Sequence, residues 1–428
     1  MMRNVLLFAL MAALFVITGL TQSWNVALTI LNMGVVSAIM ALGVNMQWGY
    51  AGLFNIGVMG FVALGGLAVV LTSTAPVGGA MAAGGWQVLG AIAVGIAAMA
   101  AAITAWRRMK RGRGIAVLLI VVAGFFAFRA IFDPAVAGIE AINPTVQGNI
   151  GGLGLPVLWA WPVGGVLAAL AAWGIGKTAL GLRSDYLAIA TLGIAEIVLA
   201  VMRNEEWLGR GVKNVIGLPR PVPYEVDLQQ NAGFLKWATG YGFDPVTASS
   251  IVVKLCYLGL LGAVLAIVML LAELALHSPW GRMMRAIRDN EVAAGAMGKN
   301  VKARHLQVFI IGSAVLGIAG AMMTTLDSQL TPSSYQPLRY TFLIWVMVIV
   351  GGSGNNWGAM LGGFLIWWLW VMVEPIGTGV LSAITAPMSD GWLKAHLQEG
   401  AAHMRLLTMG VILLVVLRFS PRGLIPQR

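Results

Sequence analysis

Long apolar runs, each of about 17 to 25 residues and so able to cross the hydrocarbon core of a bilayer as a helix, recur roughly twelve times in this chain. They fall at Asn4–Leu20, Val26–Met46, Gly52–Leu71, Gln87–Trp106, Ile115–Phe132, Pro156–Ile175, Tyr186–Met202, Ile251–Leu274, Leu306–Leu326, Tyr340–Val350, Trp357–Val373 and Leu406–Leu417. Such a pattern predicts an all-α polytopic membrane protein of roughly 10 to 12 transmembrane helices, because a helix satisfies its own backbone polar groups where no water can. Only 10% of the 428 residues are charged, against roughly 25% in a soluble domain, and 59% are hydrophobic. A water-soluble globule, a disordered chain and a disulfide scaffold are excluded on that balance. The single cysteine, Cys256, lies in an apolar run and is expected to pack as a small hydrophobe.

The net charge of +11 would suggest nucleic acid in a soluble protein. In a membrane chain it reflects basic loops held on the cytoplasmic side and attraction to a bilayer with anionic lipid, so no nucleic-acid partner is expected. Arg107, Arg108, Lys110, Arg111 and Arg113 form one such loop. Lys177 and Arg183 follow two crossings later, then Arg282, Arg285, Arg288, Lys299, Lys302 and Arg304, then Arg418, Arg422 and Arg428. All fall on one side, which places both termini in the cytoplasm and makes Asp133–Leu155, Arg203–Ser249 and Pro375–His403 external. The apolar stretch after Arg3 is not followed directly by a small-x-small cleavage site and is read as a retained first span.

The chain thus reads as one transmembrane domain, residues 1–428, with two long loops, an external one at 203–249 and a cytoplasmic one at 278–304. The external loop mixes Trp207, Tyr224, Trp237 and Tyr241 with charges and prolines, the composition of a folded docking surface. In the cytoplasmic loop, Ser278 is an N-cap followed by proline at the first helical position, and Gly298 to Asn300 supply a stop, so a short amphipathic helix is expected over Pro279–Met297.

Several motifs carry two readings. AAWGIGKT, at 171–178, approaches a phosphate-binding loop but has alanine for the first glycine, Trp173 inside the loop and an apolar helix where a strand is needed, so nucleotide binding is rejected. His277, His305, His396 and His403 show no ligand spacing, and no metal site is expected. Glu196 sits within an apolar span, where a carboxyl group faces either a pathway or a structural hydrogen-bond partner. Arg183 and Asp185 are expected to pair at the mouth of that helix. Gly52, Gly57, Gly60, Gly65 and Gly66 suit either close packing or a broken helix. Gly354, Gly358 and Gly362 repeat the GxxxG spacing and are assigned to helix packing, with Asn355 and Asn356 as a turn or cap before them.

ALGVNMQWGYAG (41–52), DYLAIATLGIAEIV (185–198), GRMMRAIRDNEVAAGAMG (281–298), VGGSGNNWG (350–358) and LRFSPRGLIP (417–426) together resemble the LivM-type permease of branched-chain amino acid ABC importers. The resemblance runs in family order over most of the chain, and residues 86–157 match least well, as an added segment would. It implies the type II importer fold and a multi-pass place in the bacterial inner membrane. Its implied partners are a homologous LivH-type permease, two cytoplasmic ATPase subunits that hold ATP and magnesium, and a periplasmic amino-acid-binding protein.

No cofactor and no catalytic residue are then expected in this chain. The 279–297 helix would couple to an ATPase through Met284, Ile287, Arg288, Glu291, Ala293, Ala294 and Gly298, although Glu291 stands one position away from the acidic residue of the importers' loop signature. Asn45, Asn55, Gly57, Thr191 and Glu196 are the translocation-pathway candidates. Val58, where the family often has a polar residue, leaves the cargo open, with urea or short amides as the alternative to a hydrophobic amino acid. A secondary transporter that binds an ion at Glu196 is the rival from another class, and a membrane enzyme is third.

Overall fold

The computed structural model describes residues 2–110, 112–143, 148–182, 184–388, 391–392, 394, 399–400 and 404–427, so Arg111, Arg183, His396, His403 and Arg428 lie outside the described residues. Each of the apolar runs lies wholly or largely on a helix. In chain order these are α1 (Met2–Thr21), α2 (Trp24–Val44), α3 (Val58–Ser73), α4 (Trp86–Arg108), α5 (Arg113–Glu140), α6 (Ala160–Ala179) and α7 (Ser184–Asn204). Short helices follow, α8 (Glu206–Gly209), α9 (Glu225–Gln230) and α10 (Ala232–Gly240), and then the long α11 (Pro245–His277). The 278–304 segment forms α12 (Pro279–Asp289) and α13 (Glu291–Ala296), before α14 (Val301–Asp327), α15 (Pro337–Gly351), α16 (Asn356–Thr385) and α17 (Met404–Phe419). Among the described residues nine helices are long and apolar enough to cross a membrane, while α3 and α15 are shorter apolar helices.

The centre is built from α2, α3, α6, α14, α15 and α16, with α11 closing one side of α2 and α1 packed on α2 and α16. Small residues set how closely these helices approach. Gly65 of α3, Gly164 of α6 and Gly317 of α14 meet at one point, where a Cβ on Gly65 would overlap the Gly317 carbonyl and one on Gly317 would overlap that of Gly164. Without a hydrophobic force between helices in lipid, such close backbone contact supplies the dispersion energy that holds the bundle. Gly358 and Gly362 play the same part between α16 and α15, against the carbonyls of Gly351 and Met347. Gly354 departs from the expected stripe. It precedes the helix in a turn with φ of +80°, and Asn355 caps α16 by accepting from the Trp357 and Gly358 amides.

The α4–α5 hairpin stands apart. Its helices pack on each other, and among the described residues the hairpin meets the body near Trp207, where Phe132 lies edge-on to the ring at 5.9 Å and Glu140 accepts from the Trp207 amide at 3.2 Å. This is the region whose sequence matched least well. Cys256 departs from its expected buried place and lies on the exposed side of α11. The 171–178 segment is uninterrupted helix in α6, with Lys177 over the Trp173 ring at 4.1 Å, so no phosphate-holding loop exists there.

The 205–244 segment folds onto the body. Strand β1 (Val215–Ile216) pairs antiparallel with β2 (Gln329–Leu330), and Arg220 donates to Ser328 at 2.7 Å. Asp244 caps α11 by accepting from the Thr247 amide and hydroxyl, and those two bonds hold its carboxyl below the usual carboxylate range.

Replacing Gly317 by leucine should destabilise the chain by more than about 3 kcal/mol, because backbones rather than side-chain ends must separate. Gly90→Leu, on the open face of α4 with nothing within 4 Å, should be near neutral. Thermal unfolding in detergent, followed by intrinsic fluorescence, checks both.

Candidate functional site

α2 does not end cleanly. It continues as a π-helical turn over Asn45–Tyr50, and the chain then runs without helix until Val58. The glycine-rich stretch is therefore a broken helix, and the expected start of α3 at Gly52 moves to Val58. Side chains satisfy the backbone of the break. Asn55 accepts from the Gly57 amide at 2.9 Å, Thr191 of α7 accepts from the Ile56 amide at 3.2 Å, and the Trp345 indole donates to the Asn55 carbonyl at 3.1 Å. Gln47 accepts from the Asn55 amide group at 2.8 Å and donates to the Phe309 carbonyl and the Ser313 hydroxyl of α14. A Cβ on Gly57 would overlap the Thr191 carbonyl, so only glycine lets α7 come this close. Asn55, Gly57 and Thr191 are thus brought together as one buried junction of α3, α7, α14 and α15.

Asn45 belongs to a neighbouring knot. Its side chain accepts from the Gly354 amide at 2.8 Å and donates to Asn356 at 3.1 Å. Asn356 also accepts from the Tyr50 hydroxyl and donates to Glu273 of α11 at 3.1 Å. Arg288 of α12 completes the knot by donating to the Gly49 carbonyl and, at 2.8 Å, to Gln427 of the C-terminal tail. A cavity of about 790 Å³ beside it is lined by Arg3, Glu273, Arg285, Asn355 and Gln427. The N-terminus, the α11–α12 corner, the 352–355 turn and the C-terminal tail therefore share one face. α4 (Arg107, Arg108), α6 (Lys177) and α17 (Arg418) each end in a basic last turn.

The expected single helix over 279–297 is two. Ser278 caps α12 as anticipated, but Asn290 adopts an extended conformation, stops α12 and caps α13 by accepting from the Ala293 amide at 2.9 Å. Met284 and Ile287 of α12 and Ala294 of α13 are all turned inward, with exposures of 0%, 1% and 7%. The outward side of the pair carries Glu291, Val292, Ala293, Met297 and Gly298. Val292 and Met297 are 82% and 80% exposed, and the sequence reading passed over both. Helical periodicity marks an apolar face without saying what covers it, whereas two large exposed apolar side chains on a polar loop are a separate signal.

Glu196 lies elsewhere, on the outward side of α7 with Tyr186, Ile189, Gly193, Ile197 and Ala200, while Leu187, Thr191, Ala195 and Leu199 face the body. Its carboxyl group makes no hydrogen bond or ion pair with any described residue.

These features can be set beside known proteins. A family described as "Branched-chain amino acid transport system / permease component" matches residues 26–145 and 135–417. The chain is 30% identical over 210 residues to the "High-affinity branched-chain amino acid transport system permease protein LivM" of Escherichia coli, covering 48% of each chain. It is 27% identical over 295 residues to the "Probable branched-chain amino acid transport permease protein LivM" of Methanocaldococcus jannaschii, covering 69% of this chain and 73% of the relative. The alignments to the Escherichia coli and Salmonella typhimurium relatives thus span about half of those proteins. No solved structure matches the chain. With the family matched over nearly the whole sequence, this multi-pass helical membrane protein belongs to the permease components of branched-chain amino acid transport systems.

Proposed function

We propose that the chain is the transmembrane permease subunit of an ATP-binding cassette importer for branched-chain or other hydrophobic amino acids, in a bacterial inner membrane. It would work with a homologous LivH-type permease, two cytoplasmic ATPase subunits that bind ATP and magnesium, and a periplasmic binding protein. Family membership supports the class, and the observation that carries the mechanism is the α12–α13 pair.

This pair is doubly capped, rests on the body through Met284 and Ile287, and holds Val292 and Met297 out from the basic face between two membrane spans. Positive loops accumulate on the cytoplasmic side, so this is the face an ATPase can reach. ATP-driven movement of the ATPase would push on α13, and the Arg288 bonds to Gly49 and Gln427 tie α12 to the broken end of α2. The folded 205–244 segment on the opposite face is the docking surface for the binding protein. The outward side of α7 is assigned to the second permease, because an unpartnered carboxyl group facing lipid is expensive.

Val292→Asp combined with Met297→Asp should leave the chain inserted and paired with its partner permease while ATPase recovery in detergent co-purification falls at least tenfold, along with leucine uptake. Ala294→Trp, by contrast, should destabilise the permease itself, since Ala294 is turned inward. Undiminished ATPase recovery and normal substrate-stimulated ATP hydrolysis in the Val292/Met297 double variant would remove α13 as the coupling element.

For α7, Glu196→Gln should keep pairing with the second permease, whereas Glu196→Leu should weaken it by roughly 1 kcal/mol through loss of an interhelical hydrogen bond. If Glu196→Gln instead abolishes uptake in an assembled complex, and uptake responds to ionophores, transport is ion-coupled and the ATP-driven reading fails.

A further inference from the structure

On the face opposite the termini, two adjoining cavities of about 210 and 330 Å³ share Met33, Asp327 and Trp367 in their walls. Together they reach the volume of a small-molecule site, which spans about 300 to 1,000 Å³. The inner cavity is lined by Met40, Met59, Met323, Leu343, Ile344 and Met347. Methionine side chains are flexible and polarisable, so such a wall can close around apolar groups of different branching. The outer cavity is lined by the Arg220–Glu225 ion pair of the folded external segment, by Lys254 and Tyr257 of α11, and by Asn32 of α2.

The charges at this junction are only partly satisfied. Arg220 and Glu225 neutralise each other at 2.9 Å. Lys254 donates to the carbonyl and the side-chain oxygen of Asn25 at 3.1 and 2.7 Å, two neutral acceptors that leave a third N–H free, and the Glu225 carboxylate that attracts its charge is already paired with Arg220. The side chain of Asp327, an exposed residue, makes no hydrogen bond or ion pair with any described residue. The Asn32 Oδ1 and Trp367 Nε1 atoms are buried without a partner, one an acceptor and the other a donor. Buried polar atoms of this kind are uncommon in native structures and call for a ligand or bound water.

We infer that these adjoining cavities are a transit site for the zwitterion of an apolar α-amino acid, with its ammonium at Asp327, its carboxylate at Lys254 and its side chain among the methionines. A cation and an anion left unpaired a short way from an apolar chamber match a molecule that carries both charges on one carbon and an apolar group on the same atom. Urea or a short amide would leave both charges and most of the apolar wall unmatched. The site rests on the importer reading above and gives it a place in this chain. Cargo released by a binding protein on the external segment would enter past Arg220 and Glu225.

The test uses the complete importer with its partner subunits in lipid nanodiscs, carrying Cys256→Ser and Ser334→Cys, since Ser334 lines the inner cavity. L-leucine should slow maleimide modification of the introduced cysteine several-fold. Its 2-hydroxy acid analogue, which lacks the ammonium, and leucinol, which lacks the carboxylate, should not. Equal protection by all three, or by none, overturns the proposal, and this measurement leaves both charged residues in place. In binding-protein-driven uptake of labelled leucine, Asp327→Asn and Lys254→Met should each lower the rate at least tenfold while complex recovery and stimulated ATP hydrolysis persist. Unchanged uptake in both variants would overturn the site but leave the importer reading standing. A wild-type complex that moves no apolar amino acid would overturn both.

Discussion

A helix can be broken inside a buried core only if something other than water takes up the freed backbone groups, since each one left unpaired away from water costs several kcal/mol. The break between Tyr50 and Val58 meets this condition with Asn55, Thr191 and Trp345, from three separate elements, and with Gln47 bracing Asn55. Much of the central architecture follows. α7 is held at the start of α3 because Thr191 caps the Ile56 amide, α15 because its indole reaches the Asn55 carbonyl, and α14 because Gln47 bonds Phe309 and Ser313. Lose one of these side chains and the others are left as buried polar groups without partners, which is why such networks are strong only when complete. The pathway candidates Asn55, Gly57 and Thr191 are engaged here in holding the scaffold.

How much of this could be read in the sequence depends on the range of the interaction. Apolar runs long enough to span lipid show their helices directly, and the Ser278–Pro279 pair marks the start of α12 because a cap is a local contact. The five glycines after Tyr50 signalled either packing or a break, and the choice was made by residues far along the chain. Thr191 and Trp345 lie 135 and 290 positions from the backbone groups they satisfy. Asn290 as a stop inside the 279–297 helix was in principle legible, since asparagine caps readily, but an apolar period running through it hid the signal. The inward turn of Met284, Ile287 and Ala294 was not legible, because periodicity is the same whether a face meets its own chain or a partner.

The cavity residues show the same limit more sharply. Lys254 and Asp327 sit at opposite parts of the sequence from Asn25 and Met33, and neither belongs to a motif. Lys254 alone in an apolar span could have been flagged by the same cost argument that singled out Glu196. Glu196, which the sequence made prominent, faces outward from α7, while half-buried Lys254 and exposed Asp327 line cavities between the helices. An intramembrane charge thus directs attention to a partner, but the sequence does not say which side of its helix that partner meets; the packing of the helix does.

α2 connects the two ends of the molecule. Asn32 and Met33 line the cavities near one face, Ser37 and Met40 follow one and two turns further in, and Gly49 receives Arg288 at the other face. From Asn32 to Gly49 is about 25 Å at the helical rise of about 1.5 Å per residue. Over that length α2 is buried against α11, α14 and α16, so it can shift as a rod more readily than it can bend. The break beyond Tyr50 separates such a shift from α3, because its Ile56 and Gly57 amides are bonded to side chains, which can follow a displacement by changing rotamer, whereas a regular helical ladder would pass the shift straight on. A push on α12 that moves Gly49 would thus alter the cavity walls at Met33 and Met40 without disturbing the glycine contacts that hold α3, α6 and α14 together.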